Sequence, residues 1–197
     1  LVREAVALCK EAGVDWVLAV GGGSVIDSAK AVANGACIDG DVWELFETKR
    51  PNPDVLPIAV VLTIPAAGSE ASKNAVVSND ELGRKTGYGS DAQRPKLAFM
   101  NPELTFTLPP FQTAAGLTDM FAHLLERFFD DYGPVPVTDN LNLSLMRTIR
   151  AEAPRVLVEP DNYDARANIM WAGMLCHQGL AGVGRHEDWA THGLEHE

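Results

Sequence analysis

Asp119 and His123 stand four apart in TAAGLTDMFAHLLERFF, and His192 and His196 stand four apart in DWATHGLEHE. Residues at that spacing share one face of a helix, so each pair can reach a single ion. A carboxylate oxygen with imidazole nitrogens suits Fe(II) or Zn(II). Side chains projecting inward from two helices make a workable metal site. A lone Asp-x-x-x-His pair is more often a surface or capping interaction. Two such pairs in one helical stretch, in a chain with 5 histidines in all, are harder to set aside. His177 and His186 lack a partner at ligand spacing and read as core or surface histidines. Glu126 and Arg127 read as solvated helix charges, and Trp43, Trp171 and Trp189 as packing anchors.

A second constellation is Gly21-Gly22-Gly23-Ser24, placed between an apolar run and a helical pattern. Glycines let the backbone approach an anion without a Cβ in the way. A helix N-terminus adds unpaired N–H groups and a partial positive charge. Ser24 can add a hydroxyl donor. Together these suit a phosphate, although a tight strand-to-helix turn without a ligand uses the same residues. The run is not the G-x-G-x-x-G fingerprint. Asp27, about one turn into the helix, either favours the dipole there or accepts a hydrogen bond from a ligand amide or hydroxyl.

The elements that must hold these residues follow from periodicity. Residues 2–12 carry apolar side chains near helical spacing, and Gly13 ends that helix. DWVLAV, at 15–20, suits a buried parallel strand. VIDSAKAVANGA after the glycines restores helical spacing. Residues 41–53 read as a turn-rich connection, and VLPIAVVLTI, at 55–64, as another buried strand. Ala75 to Ser78 and Leu97 to Met100 read as short strands on either side of a polar, glycine-rich segment, 79–94. From Thr113 onward the patterns are helical, over 113–130, 138–151, 163–180 and from 188. Pro134 and Pro136 separate the first two, and Pro154 and Pro160 the next pair. The expected architecture is an α/β, Rossmann-like parallel-sheet part over 1–110, followed by an all-helical part over 111–197.

With 46% hydrophobic and 22% charged residues, the 197-residue chain has enough apolar material for a sizeable core. A formal net charge of -11 disfavours a general nucleic-acid-binding role, because phosphate backbones need clustered Lys and Arg. Cys9, Cys37 and Cys176 are too scattered for a metal pattern and read as reduced thiols of a cytoplasmic protein. No apolar run approaches the ~18 residues of a membrane span, so no membrane partner is expected. The opening LVREAVALCKEAGVDW is interrupted by acidic residues and is not a signal peptide. Leu1 in place of an initiator methionine suggests that the sequence begins within a domain.

Five blocks occur in one order: GGGSVIDSAK at 21–30, TIPAAGSEAS at 63–72, the Lys85 segment, LPPFQTAAGLTDMFAH at 108–123 and DWATHGLEHE at 188–197. The ordered set resembles the iron-containing (group III) alcohol dehydrogenases, in the branch of butanol dehydrogenases and aldehyde reductases. The resemblance covers nearly the whole chain. It implies that Gly21, Gly22, Gly23 and Ser24 hold the pyrophosphate of NAD or NADP, with Asp27 on the nicotinamide side. It also implies that Thr63, Ser69, Ser72 and Lys85 line the cofactor site, Lys85 toward the ribose. Asp119, His123 and His192 match three metal ligands, for Fe(II) or Zn(II), and His196 matches a histidine that relays protons. The family carries one more ligand histidine beyond the position of His192, and the sequence ends at Glu197. Ala67 and Asn101 stand where the family commonly has threonine and aspartate.

The implied activity is hydride transfer between NAD(P)(H) and a small primary alcohol or aldehyde, and a homodimer is the family-level expectation for assembly. Two alternatives share the sequence features. One is a dehydroquinate-synthase-like lyase of the same fold, which calls for clustered basic residues on its substrate. The other is a truncated, non-catalytic paralogue serving in assembly or regulation.

Overall fold

The structure is a computed structural model that describes residues 1–129, 131, 133–187 and 189–196, with the side chains of Glu195 and His196 outside the described set. It divides into two compact units, Leu1–Leu62 with Ser69–Phe99, and Thr63–Gly68 with Met100–Glu197. The first is a parallel sheet with helices and the second is helical, as the sequence pattern predicts.

In the first unit, helix α1 (Val2–Ala12) stops at Gly13, whose φ of 60° places it in the left-handed region. Strand β1 (Val17–Gly21) leads through the glycine bend into α2 (Gly23–Ala36). A short helix, α3 (Trp43–Thr48), lies inside the stretch read from sequence as a connection. Strand β2 (Ile58–Leu62) pairs in parallel with β1, from Val17 opposite Ile58 to Gly21 opposite Leu62. Strands β3 (Asn74–Asn79) and β4 (Arg84–Gly89) form an antiparallel ribbon. Strand β5 (Leu97–Phe99) returns to the other side of β2, giving the all-parallel order β1-β2-β5. Ala19, Ile58, Val60 and Leu62 are buried, which fixes the register because a one-residue slip would reverse every side chain.

In the second unit α4 (Pro110–Phe128), α5 (Pro136–Val158) and α6 (Tyr163–His177) share one core, with α7 (Ala190–His196) following. Leu117, Met120 and Leu124 of α4 meet Leu145, Met146 and Ile149 of α5 and Ile169, Ala172 and Cys176 of α6. No helix among the described residues is long and apolar enough to cross a membrane. Pro154, read from sequence as a separator, lies inside α5. Proline removes one i→i−4 hydrogen bond, but Arg150, whose carbonyl loses its partner, is exposed to water, and buried Val156 anchors the turn beyond.

Gly21 and Gly116 are among the glycines that close approach requires. A Cβ on Gly21 would lie 2.7 Å from Cβ and Cγ2 of Val25. A Cβ on Gly116 would lie 2.7 Å from the carbonyl oxygen of Pro65. Gly21→Ala should therefore destabilise the protein by about 1–3 kcal/mol, as overpacking does. Because Val25 is half-exposed, adding Val25→Ala should restore most of the loss. Urea titrations of the single and double variants measure both effects, and equal loss in the two would show that the clash is not the cause.

Candidate functional site

The i,i+4 spacing on α4 places Asp119 and His123 one above the other, and α7 brings His192 to them. One donor atom from each of the three lies within 4.8 Å of the others. Asp119 Oδ1 is 3.9 Å from His123 Nε2 and 3.6 Å from His192 Nε2. The two imidazoles stack with centroids 4.7 Å apart and planes at 18°. His123 is buried, and its Nδ1 has no hydrogen-bond partner among the described residues. A carboxylate oxygen and two imidazoles, one with a nitrogen the protein leaves unused, fit a divalent transition metal.

Electrostatics separates the two imidazoles. Burial pushes His123 down to about 4, against the pull of Asp119, so it is neutral near pH 7, the form that ligates. His192 is raised above its usual value, chiefly by its interaction with Asp119 and further by Glu126, against the effect of burial.

Glu126 and Arg127 are not solvated helix charges. The Glu126 side chain is 6% exposed, and Oε1 accepts from the backbone N–H of His192 at 3.1 Å. The same oxygen lies 3.0 Å from His192 Nδ1. A carboxylate on Nδ1 fixes the proton there and leaves Nε2 as the donor facing Asp119, the usual way a ligating histidine is oriented. Burial raises the Glu126 carboxyl, but the hydrogen bonds from His192 outweigh it and hold it below the usual range.

Arg127 is 2% exposed. Its guanidinium donates to the carbonyls of His123 (3.2 Å) and Cys176 (2.6 Å) and to Glu187 Oε1 (2.7 Å). It also lies 4.5 Å from the ring centre of Trp189. Trp189 is held at φ 57°, uncommon for a bulky residue, and sets its edge against His123, His177 and His192. His177, read from sequence as a core or surface histidine, packs its ring 4.5 Å from that of His123. None of these roles follows from sequence spacing, because apart from the His123 carbonyl, four residues back on α4, the partners of Glu126 and Arg127 come from distant segments. His196, expected to relay protons, has a side chain outside the described residues.

The first unit contains all of the expected cofactor residues except Thr63. Gly22 precedes α2 with no side-chain cap, so the helix N-terminus is left to backbone groups. Ser24 is exposed beside it. Asp27 Oδ1 accepts from the Ser69 hydroxyl at 2.5 Å, and Oδ2 from the Val76 N–H at 2.9 Å. Burial raises the Asp27 carboxyl, against Lys30, Ser69 and Val76. Ser72 is buried, and its hydroxyl accepts from the Asn74 N–H at 3.0 Å. Lys85 is exposed on β4, opposite Ser78 in the ribbon. Thr63 belongs to the other unit.

The role of Arg127 generates a stability prediction. Arg127→Met should cost about 3–5 kcal/mol, because Glu187 and two carbonyls lose their donor in a buried place. Arg127→Lys should recover little, since one ammonium cannot span acceptors laid out for a planar fork. Denaturant midpoints of the two variants decide this, and a loss below about 1 kcal/mol in both would contradict the assignment, being within the range of a surface site.

Comparison with known proteins bears on both halves. The model of the iron-containing alcohol dehydrogenase family matches residues 1–102, and that of the family's C-terminal part matches residues 113–197. The chain is 41% identical over 196 residues to the NADH-dependent butanol dehydrogenase A of Clostridium acetobutylicum, covering 100% of this chain and 50% of that one. It is 39% identical over 199 residues to the NADPH-dependent aldehyde reductase YqhD of Escherichia coli, covering 100% of this chain and 51% of that one. The crystal structure of an NADH-dependent butanol dehydrogenase A from Thermotoga maritima superposes with a TM-score of 0.96 at 42% identity, over 99% of this chain and 49% of that one. The chain thus spans about half the length of the curated relatives it matches. Two consecutive family matches, with whole-chain identity of this order, place the protein in the iron-containing alcohol dehydrogenase family.

Proposed function

We propose that the full-length protein is a metal-dependent alcohol dehydrogenase or aldehyde reductase, moving hydride between NAD(P)(H) and a small primary alcohol or aldehyde. The observation that carries this reading is the meeting of Asp119, His123 and His192 donor atoms within 4.8 Å. The names of its relatives, NADH-dependent butanol dehydrogenases and an NADPH-dependent aldehyde reductase, support the reaction class.

Asp119, His123 and His192 would hold the ion, iron by family membership, although Zn(II) accepts the same donors. When bound, such an ion supplies Lewis acidity to the alcohol or carbonyl oxygen, and the nicotinamide supplies or accepts the hydride. The remaining work falls to the chain. Neutral His123 offers a nitrogen without first losing a proton. Glu126 turns His192 so that Nε2 faces Asp119. Gly21, Gly22, Gly23 and Ser24 would seat the pyrophosphate at the start of α2. Asp27 would accept from the nicotinamide side, with Thr63, Ser69, Ser72 and Lys85 lining the cofactor site. His196 would pass the alcohol proton to water, since imidazole titrates near neutral pH. The same reading assigns the cofactor to residues 1–110 and the metal to 111–197.

Metal content and NAD(P)H-dependent aldehyde reduction, measured in the full-length protein, test the proposal. Asp119→Ala and His192→Ala should each lose bound metal, with turnover falling about 100-fold or more, beyond the 10–100-fold effects of groups that only orient ligands. Wild-type turnover in both variants would refute the metal assignment.

Acid should also release the ion. The raised His192 is stabilised as the cation by Asp119 and Glu126, so that contribution is complete below its unfolded value and fades as pH rises through its folded one. The same proton competes with the metal, so metal affinity should fall as pH drops through the raised His192 value, beginning above the ordinary histidine value of about 6.5. Equilibrium dialysis across pH 5 to 8 measures it, and a flat profile would contradict the role of His192.

A further inference from the structure

Helix α5 supplies no donor to the candidate metal site, yet its first turns hold the link that leads to one of them. Residues 178–187 run from the end of α6 toward α7. The link has one short 3-10 turn, Leu180–Gly182, and no strand among the described residues. Side chains of α5 meet it instead. Thr138 Oγ1 donates to the Val183 carbonyl at 2.8 Å, and Asn142 Nδ2 to the Ala181 carbonyl at 3.1 Å. Asp139 pairs with the Arg185 guanidinium. Thr138 and Asn142 stand four apart, so they share one face of α5, and both are buried. At the far end of the link Glu187 accepts from Arg127 of α4 at 2.7 Å. Gly182 leaves the room for that pair, since a Cβ there would overlap Glu187 Oε1.

Asn142 holds its place against a desolvation cost. Its Oδ1 is buried and has no hydrogen-bond partner among the described residues. A leucine of similar volume would carry no such unmet acceptor, and the buried Leu145 and Met146 lie one turn further along α5. What the amide adds over an apolar side chain is the bond to the Ala181 carbonyl. The far end of the link gives that bond a use. Helix α7 has seven residues, too few to keep a helix unaided, and it carries His192. Glu126 sets the ring of His192 through the ring and the backbone N–H, but only once α7 has reached α4. Metal–ligand distances tolerate errors of about 0.2 Å, so the link must end in a fixed place.

We propose that Thr138, Asp139 and Asn142 are positioning residues for metal binding. They hold the 181–185 backbone on α5, so that α7 presents His192 to Asp119 and His123, without touching the ion. The proposal rests on the reading that those three donors bind one ion. A row that merely stabilised the bundle would lower metal affinity whichever donors are present. A row acting through His192 lowers it only while His192 is there.

Titration of the metal-free full-length protein with Co(II), followed by the visible absorption of the bound ion, separates these cases. Thr138→Val and Asn142→Leu are introduced together, in the wild-type and in the His192→Ala background. In the wild-type background Co(II) binding should weaken about tenfold or more, as when groups that orient ligands are removed. In the His192→Ala background the same pair should change it by less than about twofold, because the partner through which it acts is gone. If the pair does not fold, Asp139→Asn, whose side chain is partly open to solvent, replaces it in the same cycle. Unchanged Co(II) affinity in a folded variant, or equal loss in both backgrounds, overturns the proposal while leaving the metal reading intact. Co(II) held as tightly by His192→Ala as by wild type overturns that reading, and the proposal with it.

Discussion

Crowding a carboxylate and two imidazoles into a space under 5 Å across is the demand that shapes the helical unit. Each group would be better hydrated apart, and burial already disfavours a charge on His123. Other parts of the unit must therefore hold them together. Glu126 takes both the ring and the backbone of His192 on one oxygen. Arg127, one residue on, ties the last turns of α4 and α6 through the carbonyls of His123 and Cys176. Trp189 lies against that guanidinium and closes over three imidazoles. Small residues answer the same pressure. Gly116 admits the Pro65 carbonyl to α4, and Gly173 admits Met120, where any Cβ would fall 2.6 Å from the methionine methyl.

The α/β unit solves a related problem with related means. Its buried cation, Lys30, also faces backbone carbonyls, those of Ser69, Ser72 and Asn74, in place of a lone carboxylate. A polar chain continues from it along α2. Asn34 donates to the Lys30 carbonyl and to Gln93, and Asn52 donates to Asn34. Gln93 in turn donates to the carbonyls of Lys73 and Tyr88. Satisfied networks of this kind tolerate few alternatives, because any member left unpaired carries a desolvation cost. That gives the segments beside α2 a defined geometry in addition to the β3–β4 pairing.

Much of this organisation was legible in the residues. The strand, glycine bend and helix from Asp15 to Ala36 were, because β1 is continuously apolar and α2 keeps strict helical spacing, although Leu18 and Val20 are exposed where the apolar run suggests a strand buried on both faces. So were the i,i+4 pair on α4 and the helical character beyond Thr113. Helix α3 was not, since six residues are too few to show a period. It is fixed by Trp43, Leu45 and Phe46 packing with Tyr88, and by Asp41 accepting the Trp43 N–H. Strand β4 reads as a polar loop because RKTGYG lies on an exposed two-stranded ribbon, and only its partner β3 makes it a strand. Glu126, Arg127 and Lys30 look like ordinary helix charges in one dimension. Their burial depends on Glu187, Cys176, His192 and the 69–74 turn, all distant in sequence.

The central claim is that one ion unites α4 and α7. Anomalous diffraction from crystals of the metal-loaded full-length protein, collected at the iron and zinc edges, tests it most directly. The account predicts a single strong peak bonded to a carboxylate oxygen of Asp119 and to an imidazole nitrogen from each of His123 and His192, at about 2.0–2.2 Å. A peak bonded elsewhere, with those three side chains turned to separate partners, would contradict it.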